Sequence, residues 1–186
     1  MVALLLHLAD FDEKRWAQGF AAALPGHRVI LRGDDYDPAE IDYIFIWKPA
    51  PDAFDGLVNL KAVLSLGAGV DALLRHPHLP DRPIVRFVDD DLTQRMSDYV
   101  LANVTIHTRL WARFKADQEA RRWVQLYPPP AWTVTVGVMG LGVLGLDAIR
   151  HLKAFGYRLR GWSRTKKDIE GVETFDANGL DAFLSR

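Results

Sequence analysis

The sequence contains no cysteine among its 186 residues, and it has no apolar run near the length of a membrane span. The first absence excludes disulfide bonds, thiolate metal sites and cysteine nucleophiles. The second argues against a transmembrane helix, which needs about 20 consecutive apolar residues. The segment Met1–His7 has neither the basic start nor the cleavage site of a secretory signal. We therefore expect a cytoplasmic protein without membrane contacts.

Charge of neither sign dominates, because the formal net charge is −1 at pH 7. The balance hides an asymmetry, since residues 1–99 carry a net charge of −6 and residues 100–186 carry +5. A basic half is typical of a region that binds an anionic cofactor, although solvated surface charge explains the same split. Nucleic-acid binding is not expected, because the basic clusters Arg121–Arg122 and Arg164–Lys167 are small and belong to no groove-reading motif.

Short β-rich segments alternate with helical patterns in the first half of the chain, which is typical of a parallel sheet covered by helices. A helix capped by Asp10 or Asp12 is predicted to run to about Ala23. A glycine loop, Gly67–Asp71, begins a short helix that ends at Leu74. The predicted strands are Val2–Leu8, Arg28–Leu31, Tyr43–Trp47, Ala62–Leu66 and Ile84–Val88. Together these elements predict a small flavodoxin-like α/β domain.

A long linking helix is predicted from Leu92 to about Trp123, because apolar residues recur there every three or four positions. The segment Tyr127–Pro130 breaks this helix and forms a stiff linker. We therefore predict three segments. Residues 1–91 form the flavodoxin-like region, residues 92–130 form the linking helix and proline-rich linker, and residues 131–186 form an incomplete nucleotide-binding domain.

A glycine motif carries the clearest chemical signal. Val134–Met139 is predicted as a buried strand, and it runs directly into Gly140-Leu-Gly-Val-Leu-Gly145. A helix over Asp147–Phe155 and a strand over Arg158–Trp162 follow, so the glycines have the context of a doubly wound (Rossmann) dinucleotide-binding fold. In that fold the first glycine permits the turn, the second admits a diphosphate to the backbone, and the third lets helix and strand pack closely. The alternative is a glycine-rich turn that serves packing alone.

The residues after the predicted strand Arg158–Trp162 indicate which dinucleotide binds. An acidic side chain about 20 residues past the glycine loop would accept a hydrogen bond from the ribose 2′-hydroxyl of NAD(H). The sequence has Trp162-Ser-Arg-Thr-Lys-Lys167 there instead. Arg164 with Lys166 or Lys167 is therefore predicted to hold the 2′-phosphate of NADP(H), which is expected in preference to NAD(H). Solvated loop charges are the alternative.

Several motifs together resemble the D-isomer-specific 2-hydroxyacid dehydrogenase family, and within it the glyoxylate/hydroxypyruvate reductase A group. They are Leu66–Asp71, Met96–Val100, the aromatic and proline-rich linker, Gly140–Gly145 and Gly161–Lys166. The resemblance runs from Val2 to Arg186 in the family's order and spacing. It implies an oxidoreductase that transfers hydride from NADPH to a small 2-oxo acid such as glyoxylate or hydroxypyruvate. It also implies a homodimer built partly through the linking-helix region.

The resemblance further implies which residues form the site. Gly67, Ala68 and Gly69 match a loop whose backbone N–H groups hold the substrate carboxylate, and Trp47 and Lys48 match a loop that closes over the substrate. The residues that match cofactor contacts are Gly140, Leu141, Gly142, Val143, Leu144, Gly145, Ser163, Arg164 and Lys166. In the alternative interpretation, Trp47 only caps the core and Lys48 is only solvated.

Catalytic residues are not expected within the chain, because the family's carbonyl-polarising Arg, catalytic His and orienting Glu belong to segments beyond Arg186. The six histidines are predicted to be structural or exposed, and the pair His76 and His78 lacks the carboxylate that would make a metal site. We therefore expect a truncated reductase without a metal. An inactive NADP(H)-binding module or interaction protein is the alternative. An open sheet edge is expected at Val134–Met139, since the strands that would flank it come later in this fold.

Overall fold

The computed structural model describes residues 1–185, and its contacts divide the chain into two compact units, Met1–Val88 and Asp89–Arg186. Each unit is built on a parallel β-sheet. The division of the sequence into three segments stays a prediction. None of the helices in residues 1–185 has the length and apolar character needed to cross a membrane.

The first unit contains, within the described residues, a parallel sheet of five strands in the order 2-1-3-4-5. Its strands are β1 (Ala3–Leu8), β2 (Arg28–Leu31), β3 (Tyr43–Trp47), β4 (Ala62–Ser65) and β5 (Ile84–Arg86), and its helices are α1 (Glu13–Ala23) and α2 (Asp71–Leu74). Asp12, one of the two predicted caps, accepts a hydrogen bond from the N–H of Arg15 at 3.1 Å. This strand order is that of the flavodoxin-like fold, so the predicted fold of this region is confirmed.

The core of the first unit lies on both faces of its sheet. All six residues of β1 are buried, as expected for a central strand of a parallel sheet with two covered faces. Leu5 faces one core, while Leu4, Leu6 and Leu8 face the other, where α1 packs through Trp16. The alternation leaves the strand ends, rather than the strand faces, free to carry polar loops.

The second unit begins with two helices, α3 (Asp90–Thr108) and α4 (Trp111–Glu119). The prediction of one linking helix from Leu92 to about Trp123 is therefore wrong. The break lies at Leu110, whose φ of +56° is left-handed, a conformation that ends a right-handed helix. The apolar periodicity continues across the break, so it could not reveal where α3 ends.

Hydrogen bonds of Thr108 mark the end of α3. Its hydroxyl donates to the carbonyl of Val104 at 2.9 Å and also lies 2.9 Å from the hydroxyl of Tyr157. A threonine that bonds back to the preceding turn bends or weakens a helix. The contact with Tyr157 fixes the C-terminal end of α3 to a residue 49 positions further along the chain.

The rest of the second unit contains, in the described residues, a parallel sheet in the order β6-β7-β8. Its elements are β6 (Thr135–Met139), α5 (Val143–Ala154), β7 (Arg158–Trp162), β8 (Val172–Phe175) and α6 (Leu180–Leu184). The predicted succession of strand, glycine turn, helix and strand is confirmed. α5 begins four residues before the predicted start at Asp147, and β8 was not predicted.

Strand β6 lies at an open edge of this sheet. Among residues 1–185 its only strand partner is β7, and its five residues alternate between exposed and half-buried. The expected open edge is confirmed for the described residues. The expectation of a buried strand is wrong there, because alternate side chains point to opposite faces of the sheet and those on one face, including Thr135 and Met139, are exposed in the described part of the chain.

Helix α3 packs against α5 through apolar and polar contacts. The apolar residues are Val100, Leu101, Val104, Ile149 and Leu152. The hydroxyl of Ser97, which is 1% exposed, donates to Oδ2 of Asp147 at 2.6 Å. That bond, together with one from Arg150, lowers the pKa of the Asp147 carboxyl. The carboxylate is therefore held in its charged form between the two helices.

Candidate functional site

The glycine loop, residues 140–145, joins β6 to α5, and its three glycines meet three different constraints. Gly140 has a φ of +96°, which side chains of L-residues rarely adopt. A Cβ at Gly145 would lie 1.8 Å from the carbonyl oxygen of Gly140. A Cβ at Gly142 would meet no described atom within 4 Å. Turn geometry and packing therefore require the first and third glycines, whereas the second leaves open space beside its backbone.

The first turn of α5 offers unpaired N–H groups at this loop. Among the described residues no side chain caps the helix, and its first turn has no acidic residue. The N–H of Leu146 donates to the carbonyl of Gly142 at 2.9 Å. The N–H groups of Val143, Leu144 and Gly145 have no main-chain acceptor in the described part of the chain. Such groups, at the positive end of a helix dipole, favour a phosphate.

The apolar residues of the loop divide between core and surface. Leu141 is 1% exposed, and a Cβ at Gly161 in β7 would lie 2.8 Å from its Cδ2. Its side chain therefore belongs to the core, and only its backbone is available to a ligand. Val143 and Leu144 are exposed. The predicted cofactor contacts of this loop are thus mainly backbone contacts.

The segment after β7, residues 163–167, lies beside the glycine loop because Met139 and Trp162 are paired at the ends of their strands. The N–H of Gly140 donates to the carbonyl of Trp162 at 2.8 Å. Arg164 and Lys166 are exposed, and neither side chain has a hydrogen bond or ion pair within residues 1–185. The structure therefore places two unpaired cations next to the loop that offers unpaired N–H groups.

Ser163 and Lys167 of the same segment are already engaged. The Ser163 hydroxyl donates to the carbonyl of Thr165 at 2.7 Å. The ammonium of Lys167 donates to the carbonyl of Leu141 at 2.6 Å. The sequence left open whether Lys166 or Lys167 accompanies Arg164. The structure favours Lys166, because only its ammonium is without a partner in the described residues.

The predicted substrate residues of the first unit lie at the carboxyl ends of β3 and β4, which are neighbours in the sheet. The Trp47 ring lies over Gly67, where a Cβ would be 2.7 Å from Cζ3 of the indole. The carbonyl of Ala68 accepts a hydrogen bond from Arg86 at 3.1 Å, and Gly69 has no described atom within 4 Å of its hypothetical Cβ. The structure therefore brings Trp47 and the loop Gly67–Gly69 together.

Lys48 follows β3 and forms an exposed ion pair. Its ammonium lies 2.7 Å from Oδ2 of Asp10, which follows β1. Both residues have left-handed backbones, with φ values of +50° and +68°. In a sheet of this order the direction in which successive strands are added reverses between β1 and β3, and ligands bind beyond the carboxyl ends of the strands at such a point. Lys48 is therefore paired, rather than merely solvated.

Two histidines hold Ala50, close after Lys48. Its N–H donates to Nε2 of His7 at 3.2 Å, and its carbonyl lies 3.0 Å from Nε2 of His76. Burial of His7, reinforced by the charge of Arg32, lowers its pKa below the usual 6.5. Glu13 and Asp52 oppose that shift and His76 adds to it. The sequence predicted structural histidines, but nothing in its pattern pointed to Ala50.

The neutral state of His7 predicts a pH-dependent stability. Below pH 6.5 the unfolded chain binds a proton at His7 that the folded chain resists, so the free energy of unfolding should fall as the pH drops towards the lowered pKa. One such group contributes at most about 1.4 kcal/mol per pH unit. His7→Gln keeps an acceptor for Ala50 and cannot titrate. When the free energy of unfolding is measured by urea unfolding between pH 7.5 and 5, it should therefore fall less steeply with decreasing pH in this variant than in the unmodified chain.

The exposed His27 of the same unit provides the control. His27→Gln should retain the pH slope of the unmodified chain, because His27 is exposed and its ring makes only a long contact, 3.4 Å, with the carbonyl of Pro25. A His7→Gln slope equal to that of the unmodified chain would contradict the assignment of the pH dependence to His7.

Metal chemistry has no candidate site in the described residues. No group of three or more His, Asp or Glu side chains lies close enough together to hold a metal ion in residues 1–185. His76 and His78 are neighbours, with ring centroids 6.3 Å apart. Nδ1 of His76 accepts from the N–H of His78 at 3.2 Å. The pair is thus part of the local backbone hydrogen bonding.

Residues 101–186 match a known family, described as D-isomer specific 2-hydroxyacid dehydrogenase, NAD binding domain, and the relatives described below extend the similarity to almost the whole chain. The chain is therefore similar to this family over almost its whole length. The family match begins inside α3 and includes the glycine loop and the segment after β7. The predicted family and the predicted α/β fold are therefore confirmed.

Relatives within the D-isomer specific 2-hydroxyacid dehydrogenase family cover nearly all of this chain. Glyoxylate/hydroxypyruvate reductase A of Yersinia enterocolitica is 38% identical over 94% of the chain and 58% of its own length. The NADPH-dependent glyoxylate/hydroxypyruvate reductase of Sinorhizobium meliloti, solved with NADP and sulfate, is 46% identical with a TM-score of 0.87, over 100% of this chain and 60% of its own. A probable 2-hydroxyacid dehydrogenase of Rhizobium etli, solved with NADP, HEPES and L(+)-tartaric acid, is 43% identical with a TM-score of 0.91, over 99% and 59%. The chain thus spans about three fifths of the length of these relatives.

The described residues fit the dinucleotide that this dehydrogenase family binds. Open space beside Gly142 admits a phosphate to the backbone, and the unpaired N–H groups at the start of α5 face the same loop. Two unpaired cations stand where an acidic residue would select NAD(H). All three features lie within the second unit.

Proposed function

We propose that this chain supplies the NADP(H)-binding and substrate-binding parts of a reductase of small 2-oxo acids, such as glyoxylate or hydroxypyruvate. The observation that carries the proposal is that the open glycine loop lies beside Arg164 and Lys166, whose side chains have no partner in the described residues. The NADP found in the solved relatives from Sinorhizobium meliloti and Rhizobium etli supports it.

The cofactor role divides among three groups of atoms. The N–H groups of Val143, Leu144 and Gly145, reached across Gly140 and Gly142, would hold the diphosphate. Arg164 and Lys166 would hold the 2′-phosphate, joined by the Ser163 hydroxyl once it releases the Thr165 carbonyl, and the Leu141 backbone would border the site. Bound NADPH supplies the hydride. An arginine fork binds a phosphate through two parallel hydrogen bonds, so Arg164 would contribute most to the preference for NADP(H).

The substrate role is assigned to the first unit. Backbone N–H groups of Ala68 and Gly69 would hold the substrate carboxylate, joined by that of Gly67 once it releases the Ser65 hydroxyl. The Trp47 ring would cover the carboxylate. Lys48 would exchange its partner Asp10 for that carboxylate. Exposed ion pairs contribute little to stability, so this exchange costs the fold little.

The proton donor and the group that polarises the carbonyl are proposed to come from other residues of the whole protein. Hydride transfer to a carbonyl needs both. Among the described histidines, His7 and His76 are bound to Ala50, and His151 lies 3.5 Å from the carboxylate of Asp147. Residues 1–185 would accordingly contribute binding rather than proton transfer.

A homodimer is proposed through the α3–α4 region. Exposed aromatic side chains are concentrated there and in the segment that follows, and each is more than half exposed: Tyr99, Trp111, Trp123, Tyr127 and Trp132. Large exposed apolar side chains grouped in this way are typical of interaction surfaces. The cytoplasmic location stays a prediction.

Calorimetric titration of the purified chain tests the cofactor assignment, together with an NADPH-oxidation assay on glyoxylate and hydroxypyruvate. We expect NADPH to bind about 10-fold or more tightly than NADH, as one charge-assisted phosphate contact allows. We expect turnover to be very low. Binding without turnover is also what an inactive NADP(H)-binding module would show, and a stable complex with another protein would then favour that second function. Absence of NADPH binding contradicts the proposal, and rapid turnover contradicts the assignment of proton transfer to other residues.

A further inference from the structure

Lys167 connects the two loops of the candidate cofactor site. Its ammonium donates to the carbonyl of Leu141, the second residue of the glycine loop, at 2.6 Å. The two residues are 26 positions apart in sequence. Leu141 is anchored on its other side, because its side chain is buried against Gly161. The loop backbone is therefore held between the core of the unit and this single charged donor.

The main chain of Lys167 is also fixed. Its carbonyl accepts a hydrogen bond from the hydroxyl of Thr174 in β8, at 2.5 Å. The chain at Ser163 is paired with the same strand, since the N–H of Ser163 donates to the carbonyl of Phe175 at 3.1 Å. The base of the Lys167 side chain is thus tied to β8 while its ammonium is tied to the glycine loop.

We propose that Lys167 is a positioning residue for the glycine loop, and that it supports dinucleotide binding without contacting the 2′-phosphate. This inference rests on the proposed cofactor function. The Leu141 carbonyl, once bonded to the ammonium, is kept away from the phosphate position, where its negative end would repel the ligand. The same bond keeps the N–H groups of Val143, Leu144 and Gly145 facing the open space beside Gly142.

The neighbouring Lys166 makes a matched comparison, because it has no partner within the described residues whereas Lys167 has two. A ligand of the 2′-phosphate affects NADPH and leaves NADH unchanged, since NADH lacks that phosphate. A residue that positions the diphosphate loop affects both nucleotides equally. The ratio of the two dissociation constants therefore separates the two roles.

Calorimetric titration of the unmodified chain, Lys167→Met and Lys166→Met with NADPH and with NADH tests the proposal. We expect Lys167→Met to weaken both nucleotides by about 10-fold, the value of one hydrogen bond from a charged donor. Lys166→Met should weaken NADPH alone. Lys14→Met, on the exposed surface of α1 in the first unit, should change neither. If Lys167→Met weakens NADPH but not NADH, or weakens neither nucleotide, the positioning role is overturned.

Hydrogen exchange of the nucleotide-free chain tests the bond itself. The amides of Gly140 and Leu146 donate to the carbonyls of Trp162 and Gly142 and report opening of the loop at its two ends. We expect the hydrogens of these amides to exchange several-fold faster in Lys167→Met than in Lys166→Met. Equal rates overturn the inference even if the unmodified chain binds no nucleotide. In that case the proposed cofactor function fails separately, on the titration alone.

Discussion

Replacing Gly145 by alanine is expected to weaken NADPH binding strongly and to destabilise the second unit. The new Cβ would lie 1.8 Å from the carbonyl oxygen of Gly140, and backbone atoms cannot give way as a flexible side chain can. Overpacking typically lowers the free energy of unfolding by about 1–3 kcal/mol, and we expect the upper end of that range here. The start of α5 must shift to relieve it, so the phosphate N–H groups move too. We expect the dissociation constant for NADPH, measured by calorimetry, to rise at least about 100-fold, which corresponds to a loss of about 2.7 kcal/mol of binding free energy.

Gly142→Ala supplies the matched control for this effect. Its Cβ would meet no described atom within 4 Å, and the φ of −86° suits alanine. The melting temperature should therefore change little. The methyl group would instead occupy the space through which a phosphate approaches the backbone, so NADPH binding should weaken in a folded protein. Unchanged NADPH affinity in Gly142→Ala would show that the dinucleotide binds elsewhere.

Arg164→Ala is expected to remove the preference for NADPH over NADH. Its guanidinium is exposed and, within residues 1–185, has neither a hydrogen bond nor an ion pair, so the substitution breaks no internal contact. Loss of a bidentate contact to the 2′-phosphate weakens NADPH by about 10- to 100-fold, while the dissociation constant for NADH stays the same. Calorimetric titration with both nucleotides measures the two effects.

Arg158→Ala controls for the loss of a positive charge near β7 that is not beside the glycine loop. Arg158 is exposed at the amino end of β7, at the opposite end of the strand from Arg164. A general electrostatic attraction would make the two substitutions similar in effect at low salt. We expect only Arg164→Ala to change the NADPH dissociation constant strongly. Equal effects of the two variants would contradict a specific 2′-phosphate contact.

The glycine motif could be interpreted from the sequence because its constraints are local. A turn with positive φ, a close helix contact and an open backbone each require glycine at a fixed spacing, and Gly140, Gly142 and Gly145 have that spacing. The strands of the first unit were equally clear, since continuous apolar runs such as Tyr43–Trp47 are typical of covered parallel strands. These features needed no knowledge of distant residues.

Other features depend on contacts that sequence periodicity does not record. The break at Leu110 involves a hydroxyl contact between Thr108 and Tyr157, which are 49 residues apart. The pairing of Lys167 with Leu141 and of His7 with Ala50 also joins distant residues. Strand β8 is short and contains a glutamate and a threonine, so its alternation was hidden in a polar stretch. In each case a tertiary contact, rather than local propensity, decides the outcome.

The contact between α3 and α5 bears on how a minimal nucleotide-binding fragment can be cut from this protein. Ser97 of α3 donates a hydrogen bond to the carboxylate of Asp147 in α5, and α3 also covers Ile149 and Leu152 of the same helix. A fragment that began after the prolines at 128–130 would leave the apolar face of α5 in water. The smallest fragment that keeps α3 intact therefore begins at or before Asp89, the N-cap residue of α3. Gene fusions and biosensor designs that borrow this nucleotide-binding fold need to retain that helix.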